Sequence, residues 1–231
     1  MARLIDWRTA RPDLGAVVGG LQAGQLAVLP TDTCYGIACD AFNAEAVRRL
    51  KLARSMPSDV SVTVMAKSLD VVSALAVDIP DGTRRLAQAY WPGPLSILLT
   101  AQPSLNWTVD ASGDTVAVRV PDHPLLLELL DACGPLAVSQ ASSVGTQPPF
   151  TVDEALLSMG EGVDIAVEGG ALEVRPRSTF IDGRHDDPVL LRVGPISIGD
   201  LLVAAGAESS GEQGAMERPA SESEAYDVEG A

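Results

Sequence analysis

Short apolar runs rich in Val, Leu and Ile alternate along this chain with segments whose apolar residues recur every three or four positions. This alternation is the strongest constraint on the fold, because helices that take turns with strands carry the chain back across a sheet and bury their apolar stripes on it. GQLAVLPTD (24–32) predicts a buried strand that delivers a Thr-Asp-Thr loop. Asn43 is expected to cap a helix over 44–54, with Ala46, Val47, Leu50 and Ala53 on one face. VSVTVMA (60–66) predicts a strand, and LDVVSALAVDI (69–79) and TRRLAQAYW (83–91) predict helices. PLSILLTA (94–101), TVAVRVP (115–121) and PLAVSQAS (135–142) read as strands, with HPLLLELLDAC (123–133) a helix between the last two. VDEALLSM (152–159) follows as a short helix, DIAVEGG (164–170) as a strand, and RSTFIDG (177–183) with VLLRVG (189–194) as a terminal strand pair. The expected architecture is a single α/β domain, a twisted open mixed sheet with flanking helices around a central pocket.

Charge divides the chain in two. Residues 207–231 hold seven acids and one base, a net of −6 out of −15, and little that could fill a core. Such a segment cannot bury enough apolar surface to offset its ordering entropy, so it is expected to be a disordered acidic tail after a domain over 1–206. That domain is ample for a core, at a size where roughly 70% of the unfolded surface is buried. Its net of −9 leaves a small footprint for nucleic acid, confined to Arg48, Arg49, Lys51 and Arg54. No apolar run reaches the roughly 20 residues of a membrane span, and the N-terminus is too charged for a secretory signal, so a cytoplasmic protein is expected.

Several chemistries are excluded. Cys34, Cys39 and Cys133 are odd in number and form no CxxC pair, and the only histidines are His123 and His185, which argues against disulfides and Cys/His zinc sites. Neither lysine, Lys51 or Lys67, follows a glycine, so there is no GxxxxGK[ST] phosphate loop, and no GxGxxG or GxSxG motif occurs. His123 precedes a proline at a helix start and reads as a cap or surface group, and Cys34 reads as a small buried hydrophobe. Polar residues instead gather where strands end. Thr31, Asp32 and Thr33 follow the first strand, Thr115 and Arg119 lie on another, Ser139, Gln140 and Ser142 end a third, and Ser178 and Arg192 sit on the terminal pair. Strand-end loops of an open α/β sheet are where ligands bind, and hydroxyls with arginines suit a small anion.

GQLAVLPTDTCYGIACDAF resembles the opening signature of the YrdC-like family. The likeness continues in order through WPGPLSILL (91–99), VAVRVPDHPLL (116–126), PLAVSQASSVG (135–145), STFID (178–182) and LLRVGPIS (190–197), so it spans nearly all of 14–203. It implies an L-threonylcarbamoyladenylate synthase, which joins L-threonine, bicarbonate and ATP into threonylcarbamoyl-AMP and pyrophosphate for tRNA adenosine modification. By resemblance Thr33, Tyr35, Arg119 and Ser178 surround threonine, and Arg54, Thr115, Ser142 and Arg192 contact the nucleotide. Arg54, Gln140 and Ser142 take the catalytic positions beside the reacting phosphate. Mg2+ is implied with the triphosphate, held chiefly by phosphate oxygens, and RNA or tRNA-modification proteins are implied as partners.

The chain also departs from the family pattern. Where Lys-x-Arg-Pro is usual it has Arg54-Ser55-Met56-Pro57, with Val60 and Met65 in place of asparagine and histidine, and Ser-Ala-Asn has become Gln140-Ala141-Ser142. Lys51 and Arg54, three apart on a helix, either replace the missing clamp or belong to a solvated basic face. Three readings stay open on sequence alone: a synthase with a remodelled clamp, a YciO-like paralogue with little synthase activity, and an RNA-binding module.

Overall fold

The opening apolar run folds back on itself. Pro30 faces Tyr35 across a hairpin whose strands pair in antiparallel register from Ala27↔Ala38 onward. The four-residue loop between them is closed by Thr31, whose hydroxyl donates to the Cys34 carbonyl at 2.7 Å and accepts from the backbone N–H of Thr33 and Cys34. The structure is a computed structural model that describes residues 1–10, 12–105, 109, 113–185 and 187–206. The acidic tail expected over 207–231 lies outside the described residues.

In chain order the elements are β1 (Arg3–Asp6), α1 (Leu14–Gln22), β2 (Ala27–Pro30), β3 (Tyr35–Asp40), α2 (Ala44–Ala53), β4 (Thr63–Met65), α3 (Leu69–Leu75), β5 (Ala76–Val77) and α4 (Asp81–Tyr90). There follow β6 (Leu95–Ala101), β7 (Thr115–Arg119), α5 (Pro124–Cys133), β8 (Leu136–Gln140), α6 (Val152–Met159), β9 (Ile165–Glu168), β10 (Thr179–Asp182), β11 (Val189–Arg192) and α7 (Ile198–Ala205). The strands form one mixed sheet in the order β1-β9-β2-β3-β8-β4-β7-β6-β10-β11, with β5 pairing β6. Every strand and helix expected from periodicity is present, and the expected terminal pair, β10 and β11, runs antiparallel. Five elements were not anticipated: β1, α1, α7, the short β5, which takes up 76–77 where the helix expected over 69–79 stops at Leu75, and β3, the return of the hairpin whose first half is the strand expected over 24–32.

Two helical layers cover the sheet. Residues of α2, α3, α4, α6 and α7 share the larger core, which includes Val47, Leu50, Val72, Leu86, Ala155 and Leu201. On the opposite face Val17 and Leu21 of α1 and Leu126, Leu129 and Leu130 of α5 pack on Leu29, Ala38, Val138, Ile165 and Val167. On this second face Leu98, Ala117 and Phe180 form a separate small cluster under β6, β7 and β10. The pocket described next lies between the two clusters, at the strand ends.

Candidate functional site

The pocket, of about 320 Å³ with its mouth included, is lined by Thr31, Thr33 and Cys34 of the hairpin loop, Gly36 of β3, Thr63 and Met65 of β4, Ser96 of β6, Arg119 of β7, Val138, Ser139 and Gln140 of β8, and Ser178. These residues come from six places in the chain and meet because β8 lies between β3 and β4, and β7 between β4 and β6. Gly36 sits opposite Gln140, and a Cβ there would approach the Val138 methyl to 2.9 Å and the Ser139 carbonyl to 3.1 Å. Only glycine allows that strand to pass so close to the pocket wall.

Arg119 is the pocket's cation. Its Nε donates to the Gly93 carbonyl at 3.1 Å, Nη1 to the Thr33 hydroxyl at 3.2 Å and Nη2 to Asp32 at 2.7 Å. The pair is enclosed, with the Arg119 side chain 3% exposed and that of Asp32 9%. A guanidinium carries five N–H donors, so these three bonds fix its plane and leave two for a ligand oxygen. Asp32 has a second carboxylate oxygen, Oδ1, that is buried without a hydrogen-bond partner. On the neighbouring side Ser178 shares a hydrogen bond with Ser96 at 2.9 Å. Arg192 holds Ser178 from behind, with Nε on its carbonyl at 3.1 Å and Nη2 on its hydroxyl at 3.0 Å, while its guanidinium lies 5.7 Å from the Phe180 ring centre. Gly194 makes this approach possible, since a Cβ there would stand 2.3 Å from the Thr179 nitrogen.

Beyond Gln140 the chain meets the end of α2. Arg54 caps that helix and is fully buried, donating from Nε to the Ser142 carbonyl at 2.8 Å, and from Nη1 to the Ser139 hydroxyl and to Met56 Sδ at 3.2 Å. Lys51 is buried too, with Nζ on the Ser58 carbonyl at 3.0 Å. The solvated basic face that 48–54 could have formed is therefore not what exists. Arg48 alone of the four is largely exposed, bonded to Glu45, and Arg49 pairs with Asp164. The helix turns its last cation inward because Leu50 and Val47 are on the buried face and Arg54 lies four residues beyond Leu50.

The residues singled out in the sequence thus separate into groups. Thr33, Arg119, Gln140 and Ser178 line one pocket, and Arg54, Ser142 and Arg192 stand directly behind it, bonded to lining residues. Tyr35 is not brought to the lining. Its hydroxyl donates to the Gly170 carbonyl at 2.7 Å and accepts from Gly169 N–H at 2.9 Å, tying β3 to the chain after β9. Thr115 begins the strand that Arg119 ends, about 13 Å away at the usual rise, and pairs with Thr100. Ser96 and Thr63 were missed; each is a lone hydroxyl in an apolar strand, and only the sheet order reveals that they share a pocket. His123 caps α5, its Nδ1 accepting from Leu126 N–H, and its ring sits 6.3 Å from that of Trp7. Cys34 is buried, and burial pushes its thiol up, which suits a wall residue rather than a nucleophile.

An open α/β sheet with two arginines and a ring of hydroxyls at its strand ends has the chemistry suited to a small carboxylate or phosphate. Residues 20–194 match the model of the Sua5/YciO/YrdC domain, described as telomere recombination. A Mycobacterium tuberculosis protein, named in provisional form a threonylcarbamoyl-AMP synthase, is 38% identical over 195 residues, covering 84% of this chain and 90% of that one. The Bacillus subtilis threonylcarbamoyl-AMP synthase is 31% identical over 191 residues, 82% of this chain and 55% of its own length. Among solved structures, Pyrococcus abyssi Sua5 complexed with L-threonine superposes with a TM-score of 0.82 at 26% identity, covering 95% of this chain and 63% of that one. The chain belongs to the Sua5/YciO/YrdC family, as the order of its motifs implied. It spans nearly the whole mycobacterial relative but less than two thirds of the Bacillus and Pyrococcus proteins.

Proposed function

We propose that this protein is an L-threonylcarbamoyladenylate synthase that binds L-threonine in the Arg119 pocket. The observation that carries the reading is the buried guanidinium with two unused N–H donors beside Thr33 and Ser178, in a family where a Pyrococcus member was crystallised with L-threonine. The substrate carboxylate takes the two free donors as a charge-assisted pair. Thr31, Thr33, Ser96 and Ser178 supply partners for the substrate hydroxyl. Cys34, Met65 and Val138 form an apolar wall for its methyl group.

In this reading the threonine nitrogen joins the carbon of bicarbonate with loss of water. A carbamate oxygen then bonds to the α-phosphorus of ATP as the bond to pyrophosphate breaks. The protein's contribution is alignment and charge neutralisation. Arg54, held against Ser139 and Ser142 one residue from Gln140, is the cation nearest the end of β8 and takes the clamp's place. Arg192, bonded to Ser178, extends the nucleotide path at the pocket end of the sheet, whereas Thr115, at the far end of β7, is too distant to join it. Mg2+ entering with the triphosphate would be held mainly by phosphate oxygens. The product would feed tRNA adenosine modification, and the catalytic domain would lie within residues 1–206. No helix among the described residues is long and apolar enough to cross a membrane.

The test is direct. Purified protein incubated with ATP, L-threonine and bicarbonate is expected to form threonylcarbamoyl-AMP and pyrophosphate in equal amounts, detected by mass spectrometry and a coupled assay. Arg54→Met is expected to lower that rate by about 100-fold or more, the usual consequence of removing a group that stabilises transition-state charge. Absence of product from the wild-type chain, with threonine still bound, would refute the synthase reading.

A further inference from the structure

Gln140 ends β8 with only 3% of its surface exposed. Both hydrogens of its amide nitrogen are committed, one to the Ser142 hydroxyl and one to the Thr146 carbonyl at 3.0 Å. A backbone carbonyl accepts and cannot donate, so rotating the amide by half a turn would set oxygen against oxygen. The amide orientation is therefore dictated by Thr146, and the side-chain oxygen Oε1 faces the other way. That oxygen is buried and has no hydrogen-bond partner.

A buried carbonyl left unpaired destabilises a fold unless a ligand completes it. Gln140 lines the same pocket as Arg119, Thr33 and Ser178. The needs of an amino acid there are unequal. Its carboxylate only accepts and is served by the arginine, and its hydroxyl can pair with any of several hydroxyls that both donate and accept. The nitrogen only donates, as ammonium and as the single N–H that remains after carbamoylation, and it needs an acceptor fixed in place.

We propose that Gln140 Oε1 accepts a hydrogen bond from the α-nitrogen of the substrate, making Gln140 the residue that selects an amino acid over the corresponding acid without nitrogen. The inference rests on threonine occupying the Arg119 pocket. It assigns a role to a glutamine where the family pattern has serine. The bond also holds the nitrogen in one orientation while its lone pair meets the incoming carbon, and Gln140 itself transfers no proton.

Binding calorimetry and competition with the full chain test this without turnover. The ligands are L-threonine, 3-hydroxybutanoate, which lacks the nitrogen, and L-2-aminobutanoate, which lacks the hydroxyl. Gln140→Met is expected to weaken L-threonine and L-2-aminobutanoate by about tenfold or more and 3-hydroxybutanoate by no more than about twofold. Equal weakening of all three ligands by Gln140→Met, or a loss that follows the hydroxyl instead of the nitrogen, would overturn the proposal. A wild-type chain that binds threonine but makes no product refutes the synthase reading and leaves these comparisons intact; one that binds no threonine overturns this inference as well.

Discussion

Replacing Arg119 by methionine removes a buried charge while keeping most of the side-chain volume, and its consequences can be worked from the three bonds it makes. Asp32 loses its partner at 2.7 Å in a site where both side chains are nearly excluded from water. Breaking one half of a buried ion pair typically costs about 3–5 kcal/mol, because the remaining charge is left uncompensated. In a domain of this size each kcal/mol moves the melting temperature by about 2–4 °C, so Arg119→Met is expected to melt roughly 6–20 °C below wild type. Adding Asp32→Asn removes the orphaned charge and is expected to recover at least about half of that loss. Threonine binding behaves differently, since neither variant has a guanidinium to offer a carboxylate. Both are expected to bind L-threonine at least about tenfold more weakly than wild type. Differential scanning calorimetry and isothermal titration on the two variants separate the structural role from the binding role. Recovery of threonine binding in the double variant, or a melting temperature for Arg119→Met within about 2 °C of wild type, would refute the reasoning.

Two further outcomes follow from groups outside the pocket lining. Tyr35→Phe leaves Gly169 N–H and the Gly170 carbonyl without their hydroxyl, so stability is expected to fall by about 1–3 kcal/mol in urea titration while the KM for threonine stays within about threefold of wild type. Burial holds the His123 imidazole below its ordinary value, against smaller upward pulls from Asp32, its own backbone and Asp122. Below about pH 6.5 the unfolded chain therefore binds a proton more readily than the folded one, and stability falls as the solution is acidified through that window toward the folded value. His123→Asn keeps a side-chain cap on α5, so the wild-type protein should lose more stability than this variant between pH 7.5 and pH 5; a difference independent of pH would contradict the assignment.

The elements most legible in the sequence are those whose pattern is local. The strand signal of 94–101 and the caps at Asn43 and His123 appear where periodicity and cap chemistry put them, because a helix or strand is chosen mainly by residues within a few positions of each other. Helix α1 was missed since its glycines and short apolar run, LGAVVGGLQ, give little amphipathic contrast, and its burial against α5 supplies what propensity does not. Strand β1 was missed because four residues with one buried position show no pattern until β9 pairs with them.

At the site the sequence by itself determined which residue types were at hand: Thr33, Arg119, Gln140 and Ser178 beside strand ends, in an order that the family shares. It also left Lys51 and Arg54 undecided between solvent and pocket. Only the tertiary structure decided that Arg54 is fully buried behind Ser139 and Ser142, that Tyr35 ties down Gly169 and Gly170 instead of facing the substrate, and that Ser96 belongs to the pocket. The physical reason is that side-chain direction on a helix or strand is fixed by its neighbours across the sheet, and those neighbours lie far apart in the chain, as Ser96 and Ser178 do.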